Sequence, residues 1–129
     1  MNVLVDTSIW SLALRRQRHA PQPWQQAVTQ DLSDLIGDGR AAIIGPVRQE
    51  LLSGIAQPKQ FASLLQSLRA FPDIAIRTDD WEHAARIANA CRSSGIAGST
   101  VDFLLCAVAI GNDMELFTAD RPGGSGIRP

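Results

Sequence analysis

The chain has 129 residues, 45% of them hydrophobic and 19% charged, with a formal net charge of −1. That length fits one domain with a single core, and the apolar fraction excludes a disordered chain. The near-neutral balance excludes a global basic field, so any anionic partner must be drawn by a local patch or a bound cation.

Asn2 to Val5 reads as a short buried strand that stops at Asp6. The following "TSIWSLALRR" carries Ile9, Trp10, Leu12, Ala13 and Leu14 at helical spacing, with Thr7 and Ser8 as hydroxyl helix caps. No basic and apolar leader precedes this strand and no apolar run approaches the ~18 residues of a membrane span, so a cytoplasmic protein with no membrane partner is expected. "RRQRH", Arg15 to His19, is the one dense basic cluster, either a solvated helix end or a patch that selects an anionic target. His19 and His83 are expected at the surface. After the break at "HAPQP", "PWQQAVTQDLSDLIGDG" predicts a helix with Pro23 in its first turn and Gly37 or Gly39 at its stop.

"AAIIG" at 41–45 predicts a second short strand, "PVRQELLSG" a helix ending at Gly54, and "QPKQFASLLQSLRAF" another amphipathic helix. "IAI" at 74–76 predicts a further strand. The helix after it is capped by Thr78 or Asp79, lines one face with Trp81, Ala84, Ala85, Ala88 and Cys91, and stops at Gly95. "IAGSTVDFLLCAVAIGN" predicts a helix capped near Ser99 or Thr100, and "MELFTAD" a last strand. Cys91 and Cys106 sit in helical patterns without metal-ligand spacing and read as reduced core residues. Short apolar strands separated by helices predict an α/β fold, a parallel sheet covered on both sides, with ligands at the carboxyl ends of the strands. The final "RPGGSGIRP" is expected to be unstructured, so the domain is placed at residues 1–121 and a tail at 122–129.

Four acids stand beside this apolar sequence: Asp6 closes the first strand, Glu50 lies in the helix after the second, Asp102 opens the helix from Val101, and Asp120 follows "ELFT". Singly, Asp6 and Asp102 read as helix-terminus carboxylates stabilised by the backbone dipole. If the carboxyl ends of the first and last strands lie side by side, all four can converge, and several anions within ~4–6 Å are costly without a counterion. All-oxygen ligands without histidine suit Mg²⁺ or Mn²⁺ rather than zinc, and hydrolysis of a phosphodiester is the chemistry such a site serves best.

"VLVDTSIW", "GPVRQELLSG", "STVDFLLCAVA" and "LFTAD" resemble the four acidic motifs of PIN-domain ribonucleases, and most closely the VapC toxin type, over about residues 1–121. The resemblance implies a three-layer α/β/α sandwich and a magnesium-dependent endoribonuclease. It also implies the toxin of a type II toxin–antitoxin pair, dimeric and silenced by a VapB-type antitoxin. By position it makes Asp6, Glu50, Asp102 and Asp120 the metal-binding acids, with Thr118 supporting the site through its hydroxyl. The family continues after its fourth acid with a second acid, an aromatic and a closing apolar segment. Here a glycine-rich tail follows, so the closing strand is expected to be missing.

Two rivals are open. A phosphoacceptor receiver domain needs a lysine at a strand end, whereas Lys59 lies in a helical stretch and the first strand ends in one acid rather than two. A PIN-fold module could bind RNA and antitoxin without turnover. Trp10, Trp24 and Trp81 read as core or interface residues, and Trp10, Leu14 and Trp24 are expected to flank a groove for an antitoxin helix and a dimer contact.

Overall fold

The computed structural model describes residues 2–14, 21–121 and 124–128; for residues 120, 121 and 124–128 the description is of the backbone alone. The Arg15–His19 cluster lies outside the described residues. The elements in chain order are β1 (Val3–Val5), α1 (Thr7–Leu14), α2 (Pro23–Gly37), β2 (Ala41–Ala42), α3 (Gly45–Ser53), α4 (Pro58–Leu68), α5 (Thr78–Ser93), α6 (Thr100–Gly111), β3 (Glu115–Arg121) and β4 (Gly124–Arg128).

The sheet order is β2-β1-β3-β4, with β1 parallel to both β2 and β3 and β4 antiparallel to β3. Successive strand residues face opposite sides of a sheet, yet Val3, Leu4 and Val5 are all fully buried. Both faces of β1 are therefore covered, and the fold is the expected α/β sandwich, with α6 packed on β3 and α5 alongside α6. The core runs from these residues through Ile9, Trp10, Ile43, Ile44, Val47, Leu104, Leu105 and Phe117.

Four expectations change. The C-terminal segment forms β4 over Gly124–Arg128, so a closing strand is present and the sheet is mixed rather than purely parallel. Backbone pairing along the edge of β3 needs no particular side chain, which is why a polar, glycine-rich segment can close it. Residues 74–76 form no strand: Asp73 makes a single parallel bridge to Ile43, and Ile74 N–H donates to the Ile43 carbonyl at 2.9 Å. β2 is only two residues long, so the edge offers little ladder to extend, and Arg48 pins this segment instead through Asp73 at 2.9 Å. On α5 the N-cap is Arg77, whose N–H donates to the Asp80 carboxylate at 2.9 Å, and Asp80 is buried while Trp81 is 51% exposed. Trp10, read as a core or interface residue and expected beside a groove, is 1% exposed and belongs to the core.

Three helices end in the same way. Gly39 after α2 and Gly95 after α5 have φ of +69° and +74°, and the N–H that follows each folds back onto the last turn, Arg40 to the Leu35 carbonyl and Ile96 to the Cys91 carbonyl. After α6 the same turn is made by Asp113 at φ 53°, with Met114 N–H donating to the Ala109 carbonyl at 2.8 Å. A side chain in the left-handed region costs roughly 1 kcal/mol that glycine avoids, partly offset by the entropy glycine loses on folding. Asp113→Gly is therefore expected to stabilise the chain by about 0.5 kcal/mol, read as a rise of a degree or more in melting temperature; an unchanged or lower value would show that the Asp113 side chain compensates its own backbone.

Candidate active site

The register Val5↔Phe117 between parallel β1 and β3 sets Asp6 and Thr118 side by side where the two strands end. Asp6 N–H donates to the Phe117 carbonyl at 3.0 Å, the last step of the ladder. The chain then turns into α1, and the Asp6 carbonyl accepts Ile9 N–H and Trp10 N–H at 3.1 and 3.2 Å. Asp6 thus ends a strand and starts a helix, which answers for its place in the sequence.

Its side chain does more than cap. Asp6 is 3% exposed. Oδ1 accepts Thr7 N–H at 2.6 Å, and Oδ2 accepts both the Ser8 hydroxyl and the Thr118 hydroxyl at 2.9 Å. The Thr7 hydroxyl donates to Glu50 Oε1 at 3.3 Å, joining exposed Glu50 on α3 to the same group. Ser8 was expected as a helix cap; its hydroxyl instead bonds Asp6 and accepts Ala119 N–H at 3.2 Å. Hydroxyl spacing in the sequence could suggest a cap, but only the approach of β3 gives Ser8 this second partner.

Asp102 is half-buried at the third position of α6. Its Oδ2 accepts Ser99 N–H at 2.9 Å while its own N–H donates to Ser99 Oγ at 3.1 Å, a reciprocal cap that fixes the carboxylate. Asp120 lies in the part of β3 between Thr118 and Arg121 where the pairing with β4 shifts register, and its side chain is outside the description. Among the described residues no three His, Cys, Asp or Glu side chains stand close enough to share one ion. His83 is half-buried on α5 and takes no part in these contacts.

Charge is the notable feature of Asp6. The ion pairs among the described residues are Arg48–Asp73 and Arg77–Asp80, so this buried carboxylate is held by neutral donors alone. A buried anion without a cation is costly, and an oxygen-only donor set that keeps water suits Mg²⁺ or Mn²⁺. Asp6, joined to Glu50 through Thr7, offers oxygen donors of the kind a hard divalent cation takes. No helix among the described residues is long and apolar enough to cross a membrane.

A PIN domain family profile matches residues 3–122. Three solved structures share the fold. A chain of the FitAcB crystal structure from Neisseria gonorrhoeae has TM-score 0.71 and 20% identity, covering 92% of this chain and 87% of that chain. A chain of VapBC2 from Rickettsia felis, bound to a DNA fragment from its promoter, has TM-score 0.69 and 20% identity, with 92% and 86% covered. A chain of a toxin–antitoxin complex from Klebsiella pneumoniae has TM-score 0.68 and 21% identity, with 91% and 85% covered. No curated protein matches the sequence at a significant level. The family profile spans nearly the whole chain, and on this ground the chain belongs to the PIN domain family.

Proposed function

We propose that this protein is a Mg²⁺-dependent endoribonuclease, with Mn²⁺ as a substitute, and the VapC-type toxin of a toxin–antitoxin pair. PIN family membership supports a nuclease, and the observation that carries the metal reading is Asp6, buried at 3% exposure and bonded, among the described residues, by Thr7 N–H and the Ser8 and Thr118 hydroxyls. Asp6, Glu50, Asp102 and Asp120 would hold the ion. When bound, it would supply an activated water and neutralise charge on the phosphodiester.

The protein's own part is to keep the ligands in place. Ser8, Thr118 and Thr7 N–H fix Asp6, the Thr7 hydroxyl fixes Glu50, and Ser99 fixes Asp102. Ligands held by such neighbours lose less freedom when they bind, and removing one such neighbour typically weakens metal affinity 10–100-fold. The solved structures of similar fold include a VapBC assembly and a toxin–antitoxin complex, which supports a VapB-type antitoxin as partner. Leu14 and Trp24, exposed at 44% and 46% on the packed helices α1 and α2, are candidates for its contact or for a homodimer.

The rival is a PIN-fold module that binds RNA and antitoxin without turnover. It draws on the separation of the acids: Asp102 is engaged in its own cap, and no three described acids share one ion position. Incubation of the purified chain with structured RNA decides. Cleavage with Mg²⁺ or Mn²⁺ that stops in EDTA and is lost in Asp102→Asn supports the enzyme. Full cleavage in EDTA overturns metal dependence, and metal-supplied protein that binds RNA but leaves it intact establishes the module.

A further inference from the structure

We infer that Ser8 is a positioning residue for the metal-binding carboxylate of Asp6, acting as a relay between the backbone of β3 and Asp6 Oδ2; this rests on the metal reading above. Residues two apart on a strand present their N–H and C=O groups to the same side, so Ala119 N–H faces β1 as the Phe117 carbonyl does. The next acceptor in a continuing parallel ladder would be the Asp6 carbonyl. That oxygen already accepts Ile9 and Trp10 N–H, because the chain has turned into α1. Ala119 N–H is thus left at the end of the ladder, and Ser8 Oγ accepts it at 3.2 Å.

The direction of the relay follows from what each group can do. A backbone N–H only donates and an ionised carboxylate only accepts, so the one hydroxyl proton of Ser8 points at Asp6 Oδ2, 2.9 Å away. The N–H of β3 polarises the hydroxyl, and the hydroxyl strengthens its bond to the carboxylate. With Thr118 as second donor, both lone pairs of Oδ2 are engaged, while among the described residues Oδ1 accepts Thr7 N–H alone. A carboxylate offers about four lone-pair sites, so the one left for a cation is on Oδ1. Ser8 thereby fixes the rotation of the carboxylate and selects the oxygen it presents. Helix capping accounts for none of this, since neither partner of the Ser8 hydroxyl is an N–H of α1.

The test is Mn²⁺ binding, measured by calorimetry on the full chain without RNA, alongside circular dichroism. Ser8→Ala is expected to weaken Mn²⁺ binding by roughly 10–100-fold with the spectrum retained, and Ser8→Thr, which keeps the hydroxyl, to bind within a few-fold of wild type. Leu68→Ala, which opens a cavity at buried Leu68 on α4, is the control for general destabilisation and should bind Mn²⁺ normally while it melts lower. Should Ser8→Ala lose its fold, Ser8→Cys, a weaker donor of similar size, decides by the same reading. Wild-type affinity in the folded Ala or Cys variant overturns the role of Ser8 and leaves the metal site standing. A wild-type chain that takes up no Mn²⁺ overturns the metal reading and this inference together.

Discussion

Asp6→Asn is expected to lose 10²-fold or more in metal-dependent RNA cleavage while melting within a few degrees of wild type in the absence of metal. Asparagine is isosteric with aspartate, so its carbonyl oxygen can still accept Thr7 N–H, 2.6 Å away in the wild type. Its amide would face the Ser8 and Thr118 hydroxyls, and both can rotate to accept. The fold keeps its shape at this point and loses only the charge. A neutral amide is a poor ligand for a hard divalent cation, and misplacing the ion also misplaces the water it activates. Asp31→Asn, on the exposed side of α2 and away from these contacts, is the matched control and should cleave at the wild-type rate. Wild-type cleavage by Asp6→Asn would move the active centre elsewhere on the molecule.

The largest expected loss of stability follows from Trp10. Its ring packs on Phe71 with centroids 4.8 Å apart and tilted by 54°, and its indole N–H donates to the Val5 carbonyl at 3.2 Å. Truncating a buried tryptophan removes its transfer free energy and leaves a cavity, at a cost of about 3–5 kcal/mol. Against a total of 5–15 kcal/mol for a typical domain, Trp10→Ala should lower the melting temperature on the order of 10 °C or more. Trp10→Phe keeps an aromatic ring against Phe71 and loses the hydrogen bond, so it should cost less, about 1–2 kcal/mol. Urea titrations followed by circular dichroism would rank the three chains. A Trp10→Ala variant as stable as wild type, yet unable to bind an antitoxin, would restore Trp10 to the groove in which its sequence pattern placed it.

Much of this protein is written locally. Val3, Leu4 and Val5 form an unbroken apolar run because both faces of their strand are covered, and a run of that kind needs no partner to be recognised. The helix from Pro23 to Gly37 carries its start and stop in its own residues, as does the reciprocal cap of Ser99 and Asp102. These features depend on neighbours within about one helical turn, so the sequence by itself determined β1, the helices and the candidacy of Asp6, Glu50, Asp102 and Asp120, while Thr118 entered through the resemblance to PIN-domain motifs.

What only the tertiary structure decided depends on strand order. Ser8 and Ala119 are separated by 111 positions, and nothing in "DTSIW" distinguishes a capping hydroxyl from one that bonds β3. Burial of Trp10 and exposure of Trp81 were equally open, since one face of an amphipathic helix is as apolar as its composition allows until another element covers it. The β4 strand was illegible for a related reason: its hydrogen bonds come from backbone that every sequence shares, and the edge of β3 that receives them exists only once β1 has paired with β3 on the other side. Contacts distant in the chain form only when the whole sheet assembles, so the set of acids could be read residue by residue while the hydroxyl relay that orients Asp6 could not.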